Sequence, residues 1–469
     1  MKIEQIYTGC LAHAAYYIES NGEAAIVDPL REVQPYIDRA KLDDAKIKYI
    51  FETHFHADFV SGHIDLAKKT GGKIVFGPTA KPNYDVTIAE DNQIFKIGDY
   101  QIKVIHTPGH TMESTTYLLI DENGKEHGII TGDTLFIGDV GRPDLAQHVV
   151  SDLNEEILAG HLFDSLRNKI MPLPDDLIVY PNHGAGSACG KNMSSETTDT
   201  LGNQKRTNYA LRANMTKEEF IKELLTGLGS PPAYFPANVL MNINGYESLD
   251  DVMEKAQKPL SPSEFELLAN QTDAIMLDVR HQDDFAKGHI PQSIFIGLDG
   301  GFAPWVGDLI ADVKQAILLI APEGREEEAL TRLSRIGFDN TIGYLKGGFE
   351  AWKNDDREID TVKSIFATEF KKAIIEEKPV FDVRKEGEFL SEHVVGAEHI
   401  CLSTVTNNIS HFLVDKTFYV HCQGGYRSMI ASSILKSRGI HNFIDVAGGF
   451  KEIKEIGAPL SDYVSPSIL

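Results

Sequence analysis

Thr53–His63 reads Thr-His-Phe-His-Ala-Asp-Phe-Val-Ser-Gly-His, with three histidines and one aspartate in eleven positions. It follows Lys48–Phe51 (Lys-Tyr-Ile-Phe), an apolar run that predicts a short buried strand, so the histidines lie where a strand ends and a loop opens. Imidazoles and a carboxylate at this spacing indicate a metal site. The alternative is a polar loop that contains histidines by chance, and related motifs further along the chain weigh against it.

Polar residues stand at the ends of several other predicted strands. Thr107–Thr111 (Thr-Pro-Gly-His-Thr) follows Tyr100–Ile105, and Thr131–Thr134 (Thr-Gly-Asp-Thr) follows His127–Ile130. Short strands separated by turn signals predict a sheet sandwich, and we expect its loops to converge on one edge. The strand-end residues are Asp28, His54, His110, Asp133 and His183.

Length and composition narrow the class of protein. A chain of 469 residues is too long for one core and suggests about three domains. The formal net charge of −24 repels phosphate backbones and anionic lipid, so we expect neither nucleic acid nor a membrane as a partner. Four cysteines do not make a disulfide framework, and no secretory signal begins the sequence. The expected compartment is the cytoplasm.

Taken in order, the four loops resemble those of the metallo-β-lactamase superfamily. They are the His-x-His-x-Asp loop, the Pro-Gly-His turn, the Gly-Asp turn and the segment Asn182-His183-Gly184. Four motifs in one order are far more specific than any single one. The resemblance implies an α/β protein with an N-terminal αββα sandwich over residues 1–250.

The position after Asp58 decides which branch of that superfamily is resembled. The usual two-metal hydrolases carry a second histidine there, whereas this chain carries Phe59, which cannot ligate a metal. The remaining pattern resembles the persulfide dioxygenases, a branch similar to the ethylmalonic encephalopathy protein. The resemblance implies one Fe(II) per chain, held by two imidazoles and one carboxylate with open positions for O2 and a sulfur ligand. Its ligands are His54, His110 and Asp133, and the residues that orient them or a water are His56, Asp58 and His183.

Two residues of this half are predicted to bind the substrate. Arg142, in Gly141-Arg142-Pro143-Asp144, matches a family arginine that binds the thiol carrier, although a salt bridge to Asp144 explains it equally well. Cys189 stands in a stretch of small residues after His183, as in dioxygenases fused to rhodanese domains, and is a candidate to accept sulfur. Its alternative is an inert buried thiol. Further on, Tyr234-Phe235-Pro236 predicts an extended segment that leads into a linker.

The second half contains an internal repeat of about a hundred residues. Asp278-Val279-Arg280 is echoed by Asp382-Val383-Arg384, and the Gly-Gly-Phe triplet at Gly347 is echoed at Gly448. These features resemble rhodanese domains, and they place α/β domains over residues 262–355 and 362–462. We call them the middle repeat and the C-terminal repeat. The paired aspartate and arginine of each are expected to form a buried structural ion pair.

The C-terminal repeat carries the predicted nucleophile. A strand that ends at Cys422, a glycine-containing loop and a helix start aim backbone N–H groups and a helix dipole at the sulfur, which favours a thiolate. Cys422 and Arg427 are therefore the predicted catalytic residues. Four residues separate them, as in the rhodanese loop, whereas similar phosphatases use five. These four are the predicted substrate-binding residues Gln423, Gly424, Gly425 and Tyr426.

The middle repeat has lost this chemistry. The two Gly-Gly-Phe triplets are 101 positions apart (448 − 347), and 422 − 101 gives Ala321 at the position of the nucleophile. We therefore expect a catalytically silent domain that serves as a spacer or an assembly surface, which predicts a homo-oligomer.

Three hypotheses remain at the level of sequence. The first is an Fe(II) persulfide dioxygenase and thiosulfate sulfurtransferase of sulfide detoxification, whose small-molecule partners are a low-molecular-weight thiol persulfide, O2 and thiosulfate or sulfite. The second is a glyoxalase II-like zinc thioester hydrolase with sulfurtransferase domains, against which Phe59 argues. The third is a degenerate first domain in a chain that only carries sulfur to a partner protein.

Overall fold

The computed structural model describes residues 2–145, 153–412 and 415–465. The chain divides into two compact units. The first contains the residues up to Val252 together with Leu333–Phe338, and the second contains Met253–Arg332 and the residues from Asp339 onward. Among the described residues, no helix is both long enough and apolar enough to cross a membrane.

The first unit is built on two six-stranded sheets. The strands of one sheet, in their spatial order, are β1 (Lys2–Thr8), β2 (His13–Ser20), β3 (Glu23–Val27), β4 (Lys46–Glu52), β5 (Lys73–Phe76) and β6 (Thr87–Ile88). The strands of the other are β7 (Ile94–Ile97), β8 (Tyr100–His106), β9 (Thr115–Ile120), β10 (Glu126–Gly132), β11 (Ile178–Pro181) and β12 (Asp199–Thr200). Its spatial order runs from β12 down to β7.

Three buried clusters show how the layers pack. Tyr16 and Phe51 from the first sheet meet Val104 and Tyr117 from the second in one apolar layer between the sheets. A second cluster joins the outer face of the first sheet to helices, and a third does the same for the second sheet. Each sheet therefore buries both faces, which confirms the αββα sandwich predicted from the sequence.

The helices of this half are α1 (Gln34–Leu42), α2 (His63–Thr70), α3 (Glu155–Ser165), α4 (Leu201–Thr207), α5 (Lys217–Leu225), α6 (Phe235–Asn244) and α7 (Leu249–Ala256). A π turn over Leu166–Ile170 continues α3, and a 3-10 turn covers Tyr209–Leu211. The prediction of an extended segment at Tyr234–Pro236 is wrong, because α6 begins at Phe235. Proline is tolerated in the first turn of a helix, where its missing N–H has no partner to lose, so Pro236 starts this helix.

The second unit contains two five-stranded parallel sheets of the same topology. The strands of the middle repeat, in spatial order, are β13 (Pro259–Leu260), β17 (Thr341–Leu345), β16 (Ile317–Ile320), β14 (Ile275–Asp278) and β15 (Ile294–Phe295). Those of the C-terminal repeat are β18 (Ser364–Phe366), β22 (Phe443–Ala447), β21 (Phe418–His421), β19 (Val380–Asp382) and β20 (Glu398–His399).

Helices connect these parallel strands. They are α8 (Pro262–Gln271), α9 (Gln282–Lys287), α10 (Phe302–Leu309), α11 (Glu326–Arg335) and α12 (Gly348–Asn354) in the middle repeat. In the C-terminal repeat they are α13 (Ala367–Ile375), α14 (Glu386–Ser391), α15 (Tyr426–Ser437) and α16 (Gly449–Glu455), with a 3-10 segment over Leu402–Phe412.

The two repeats agree in detail. Arg280 and Arg384 each donate to the aspartate two positions before them at 2.6 Å, and both aspartates are fully buried, so the predicted structural ion pairs are present. Ala321 directly follows β16 and Cys422 directly follows β21, which are equivalent strands. The register counted from the glycine triplets is therefore correct.

Candidate metal centre and cysteine loop

Three strand-end side chains of the first unit meet in one buried cluster. His54 follows β4, His110 follows β8 and Asp133 follows β10. The Nε2 atoms of His54 and His110 lie 3.9 and 3.5 Å from Oδ2 of Asp133. One ligand atom from each residue falls within 4.8 Å of the others, an arrangement that can hold a metal ion.

Hydrogen bonds fix the tautomers of both imidazoles. Nδ1 of His110 is 2.7 Å from the carbonyl oxygen of Arg142, which can only accept, so this nitrogen carries the proton and Nε2 is free to ligate. Nδ1 of His54 lies 2.9 Å from the hydroxyl of Thr53, which itself donates to Asp28 at 3.0 Å. Burial, together with neighbouring His56, holds the pKa of His54 well below its ordinary value, and the neutral imidazole is the form that binds a metal.

Asp133 has one engaged oxygen and one orphaned oxygen. Its Oδ1 accepts from Nδ1 of His183 at 2.8 Å. Its Oδ2, which faces the two histidine Nε2 atoms, is buried and has no hydrogen-bond partner among the described residues. A buried carboxylate oxygen without a partner is costly, and a cation among these three atoms would satisfy it. The donor set therefore fits a bound metal.

His183 bridges Asp133 and a second buried carboxylate. Its Nε2 is 2.9 Å from Asp58, and its Nδ1 faces Asp133. Since both partners are acceptors, both ring nitrogens donate and the ring is an imidazolium. Burial opposes this charge, but Asp133 and Asp58 outweigh burial and raise the pKa of His183 well above its ordinary value. A fixed positive charge thus lies beside the metal cluster.

Phe59 and His56 pack against each other beside the candidate metal ligands. Phe59 is fully buried, and its ring centroid lies 4.3 Å from that of His56. Nε2 of His56 is directed to Oδ1 of Asp28 at 3.0 Å. Besides the metal cluster, two further buried groups in the described residues have a suitable spacing for a cation: Asp58, His183 and Cys189, and Asp28, Glu52 and His56.

One residue of this site was missed at the level of sequence. Asn242, on α6, donates to the carbonyl oxygens of His56 and Phe59 at 2.8 and 2.9 Å. Its own oxygen accepts from the amide of Ser61 at 3.0 Å. Asn242 thus holds the backbone between His56 and Ser61. Helix α6 carries three asparagines, Asn238, Asn242 and Asn244, and nothing in the sequence distinguishes Asn242 from the other two.

Arg142 and Cys189 lie next to each other, and the carbonyl oxygen of Arg142 contacts the metal-ligand candidate His110. The Arg142 amide donates to the Cys189 carbonyl at 2.9 Å, and the Arg142 guanidinium donates to Asp144 at 2.6 Å. The salt bridge weighed from the sequence is therefore present, and carrier binding by Arg142 stays a prediction. Burial, with Asp58 and Asp133 nearby, raises the pKa of the Cys189 thiol well above its ordinary value, which keeps it protonated. Sulfur transfer through Cys189 also stays a prediction.

A largely apolar cavity of about 400 Å³ opens beside His110. Phe55, Met112, Leu145 and Val239 line it, and Lys81 supplies a cation. A small organic molecule in this space would reach the edge of the metal cluster.

Gly141 is predicted to be essential for the geometry of the cluster. A Cβ atom at this position would lie 2.1 Å from the carbonyl oxygen of Asp133 and 2.9 Å from Nδ1 of His110. We expect Gly141→Ala to displace both ligands and to weaken metal binding by about 10- to 100-fold. Titration against a competing chelator measures this. Gly9→Ala, whose Cβ would meet open space, should bind like the wild type, and equal affinities for all three proteins would contradict the prediction.

In the C-terminal repeat, the loop after β21 surrounds a buried sulfur. Cys422 is 1% exposed, and its Sγ accepts from the amide of Gly425 at 3.1 Å. Gly425 has a φ of 97°, in the left-handed region that favours glycine, which lets the loop turn tightly around the sulfur. A backbone donor and the start of the 12-residue helix α15 both favour an anionic group at this point.

The loop residues predicted to act with Cys422 differ in their surroundings. Both terminal nitrogens of Arg427 donate to Glu388, at 2.6 and 2.8 Å, in a bidentate pair. Gln423 and Gly424 are exposed, so a ligand can reach the loop from solvent. The glycine triplet packs against the loop, because Phe450 donates to the Cys422 carbonyl at 2.7 Å.

Asp445, on β22 next to this loop, predicts a pH dependence of stability. Burial raises its pKa from 3.8 to about 6. Because the folded state holds the proton more tightly, the stabilisation is complete below about pH 4 and is lost as pH rises through about 6, a loss of about 3 kcal/mol. We expect Asp445→Asn to remove this loss.

The comparison uses urea unfolding of the full chain on both sides of this pH range. Trp305 and Trp352 are the two tryptophans of the chain and both belong to the second unit, so their fluorescence reports its unfolding. Other titrating groups affect both proteins alike. The same pH slope in wild type and variant would exclude Asp445 as the source.

Comparisons with known proteins cover both halves of the chain. Residues 8–183 match the Metallo-beta-lactamase superfamily, and residues 261–355 and 366–456 match the Rhodanese-like domain. The crystal structure of a metallo-beta-lactamase from Staphylococcus aureus subsp. aureus COL aligns with a TM-score of 0.65 and 32% identity, over 74% of this chain and 98% of that one.

Two further proteins are similar to the first part of the chain. A probable hydroxyacylglutathione hydrolase of Schizosaccharomyces pombe is 28% identical over 48% of this chain and 91% of its own length. The crystal structure of ETHE1 from Myxococcus xanthus aligns with a TM-score of 0.44 and 26% identity, over 52% of this chain and 98% of that one.

Proposed function

The chain belongs to the metallo-beta-lactamase superfamily and continues into two rhodanese-like domains, and from this premise we propose that it is a persulfide dioxygenase coupled to a sulfurtransferase. Its substrate would be the persulfide of a low-molecular-weight thiol. The first product would be sulfite, which the C-terminal repeat could convert into thiosulfate.

One observation carries the proposal for the first unit. The side chains that would hold a second metal in a hydrolase are engaged in hydrogen bonds with one another, since the imidazolium of His183 donates to both Asp58 and Asp133. Phe59 removes a further ligand. What remains is His54, His110 and Asp133, a set of two imidazoles and one carboxylate that suits a single Fe(II) with open positions.

The chain's own residues would prepare this site for a sulfur substrate. Thr53 and the Arg142 carbonyl hold the two imidazoles in the tautomer that ligates, and His183 keeps Asp133 in place. The apolar cavity beside His110 would exclude water from the carrier. Bound Fe(II) would supply the redox chemistry by which R–S–SH, O2 and water give R–SH, sulfite and two protons.

Cys422 would perform the sulfur transfer. Its thiolate would attack the outer sulfur of the persulfide R–S–SH, the S–S bond of the donor would break, and R–S⁻ would leave, so that Cys422 holds the sulfur as a cysteine persulfide. Sulfite would then take that sulfur to give thiosulfate, with release of a proton and return of the Cys422 thiolate. Arg427 would stabilise the anionic donor, and the exposed Gln423 and Gly424 would admit it. Carrier binding by Arg142, sulfur acceptance by Cys189 and assembly into a homo-oligomer belong to the same proposal.

A zinc thioester hydrolase is the second candidate. It is favoured by the sequence relative named a probable hydroxyacylglutathione hydrolase, which the chain matches over 91% of its length. The buried Phe59 and the His183 bridge argue against it, because both reduce the ligands left for a second metal.

The deciding experiment is anaerobic metal analysis of the purified full chain, followed by O2 uptake with glutathione, coenzyme A and bacillithiol persulfides. Near one iron per chain with persulfide-dependent uptake supports the dioxygenase. Near two zincs, no uptake and hydrolysis of a glutathione thioester would replace it with the hydrolase. Absence of any bound metal would leave a protein that only carries sulfur.

A further inference from the structure

Tyr426 belongs to the C-terminal repeat, but its side chain packs against the middle repeat. Tyr426 is the last loop residue before Arg427 and the first residue of α15. Its hydroxyl donates to the carbonyl oxygen of Gly297 in the middle repeat at 2.7 Å. Its ring packs edge-to-face against Phe295, with centroids 5.8 Å apart. The side chain is therefore held by the middle repeat.

The middle repeat is shaped to receive this ring. A Cβ atom at Gly300 would lie 2.3 Å from the Tyr426 ring, so any larger residue would displace it. The neighbouring Gly301 differs, because its Cβ would meet only the edge of the partly exposed Trp305 at 3.2 Å.

Two more contacts hold the same helix, one with the middle repeat and one with the segment that follows it. Oγ of Ser433 accepts from the amide of Phe295 at 3.0 Å. Nζ of Lys436 contacts both carboxylate oxygens of Asp360 at 2.8 Å, in the segment between the repeats. Helix α15 is thus anchored at its start, its middle and its end.

The start of α15 is also the part of the helix that contacts the sulfur. Gly425, whose amide donates to Cys422 Sγ, is bonded directly to Tyr426. A shift of the tyrosine would move this donor and the helix end away from the sulfur. Because this hydrogen bond is already 3.1 Å long, a displacement of about 1 Å would break it.

We infer that the middle repeat, which lacks a nucleophile of its own, positions the catalytic loop of the C-terminal repeat through Tyr426. Gly297, Phe295 and Gly300 hold the tyrosine, and the tyrosine holds the backbone donor at Cys422. Tyr426 is thus a positioning residue whose side chain does not face the substrate. The inference rests on the proposed sulfur transfer for its effect on turnover, whereas its effect on the reactivity of Cys422 is independent of that proposal.

The test substitutes a residue of the middle repeat and measures the reactivity of Cys422 in the C-terminal repeat. In the full chain, Gly300→Ala is expected to lower the rate of Cys422 alkylation by iodoacetamide several-fold, because the displaced ring pulls the donor from the sulfur. The kcat of thiosulfate:thiol sulfur transfer should fall about tenfold or more, with KM for thiosulfate little changed. Gly301→Ala is the matched control, with the same loss of backbone freedom and no contact to the tyrosine. It should behave like the wild type.

A second variant keeps the inference falsifiable if Gly300→Ala does not fold. Tyr426→Phe removes only the hydroxyl and keeps the ring between Phe295 and Gly300, so we expect intermediate alkylation and turnover rates. Unchanged alkylation in folded Gly300→Ala, equal losses in both glycine variants, or unchanged alkylation in Tyr426→Phe where it is the only folded variant would each overturn the inference. A wild type without sulfur transfer but with the same order of alkylation rates would refute the proposed activity and leave the positioning role standing.

Discussion

Replacing His110 with alanine is expected to abolish persulfide-dependent O2 uptake and to leave thiosulfate:thiol sulfur transfer unchanged. His110 supplies one of the three ligand atoms, 3.5 Å from Oδ2 of Asp133. Without it the centre keeps one imidazole and one carboxylate of its three ligands. Since removal of even a supporting residue typically costs 10–100-fold in metal affinity, loss of a direct ligand should leave iron below about a tenth of an equivalent per chain.

The control for this variant is His127→Ala. His127 is an exposed residue on β10, the strand that leads to Asp133, and it contacts none of the ligands. It should retain iron and full O2 uptake. The catalytic cysteine belongs to the other compact unit, so sulfur transfer by His110→Ala should match the wild type. Loss of both activities would refute the separation into two sites, and full O2 uptake would remove His110 from the metal centre.

Local patterns were sufficient to predict most of the architecture. The polar residues of the centre stand in the loops that follow buried strands, and these loops meet at one edge of the sandwich. The position equivalent to Cys422 could be found by counting from the Gly-Gly-Phe triplets, because each triplet packs against the loop that follows the central strand of its repeat. Gly449 lies so close to the Cys422 carbonyl that a Cβ would be 2.5 Å away, and Gly348 has the same relation to Ala321. Because the triplet contacts the loop, the number of residues between them is the same in both repeats.

Contacts between distant parts of the chain could not be predicted in this way. Asn242 is 186 residues from His56, and Tyr426 is 129 residues from Gly297. Neither residue breaks the local pattern of its helix. The role of His183 as a bridge between two carboxylates also depends on where three separate loops meet, and periodicity carries no information about that meeting. The helix at Phe235 was missed for a local reason, because proline in a first turn reads like a breaker.

Replacing Cys422 with serine is expected to have the opposite effect to His110→Ala. Sulfur transfer should fall by at least about a thousandfold, because a serine hydroxyl is almost entirely protonated at neutral pH and cannot hold sulfur as a stable persulfide. Serine preserves the size of the side chain and can still accept from Gly425, so the loop should remain folded. Iron content and O2 uptake should be unchanged, since the metal ligands are contributed by the first unit.

Cys401→Ser is the matched control for this change. Cys401 is a partly exposed thiol of the same repeat, and its Sγ lies 3.2 Å from the hydroxyl of Ser403. We expect its loss to leave both activities intact. Mass spectrometry after incubation with thiosulfate should find one added sulfur atom on the wild type and on Cys401→Ser, and none on Cys422→Ser. If the two sites cooperate, Cys422→Ser supplied with persulfide and O2 should accumulate sulfite, whereas the wild type converts it into thiosulfate. Equal thiosulfate from both proteins would show that Cys422 does not consume the product of the metal centre.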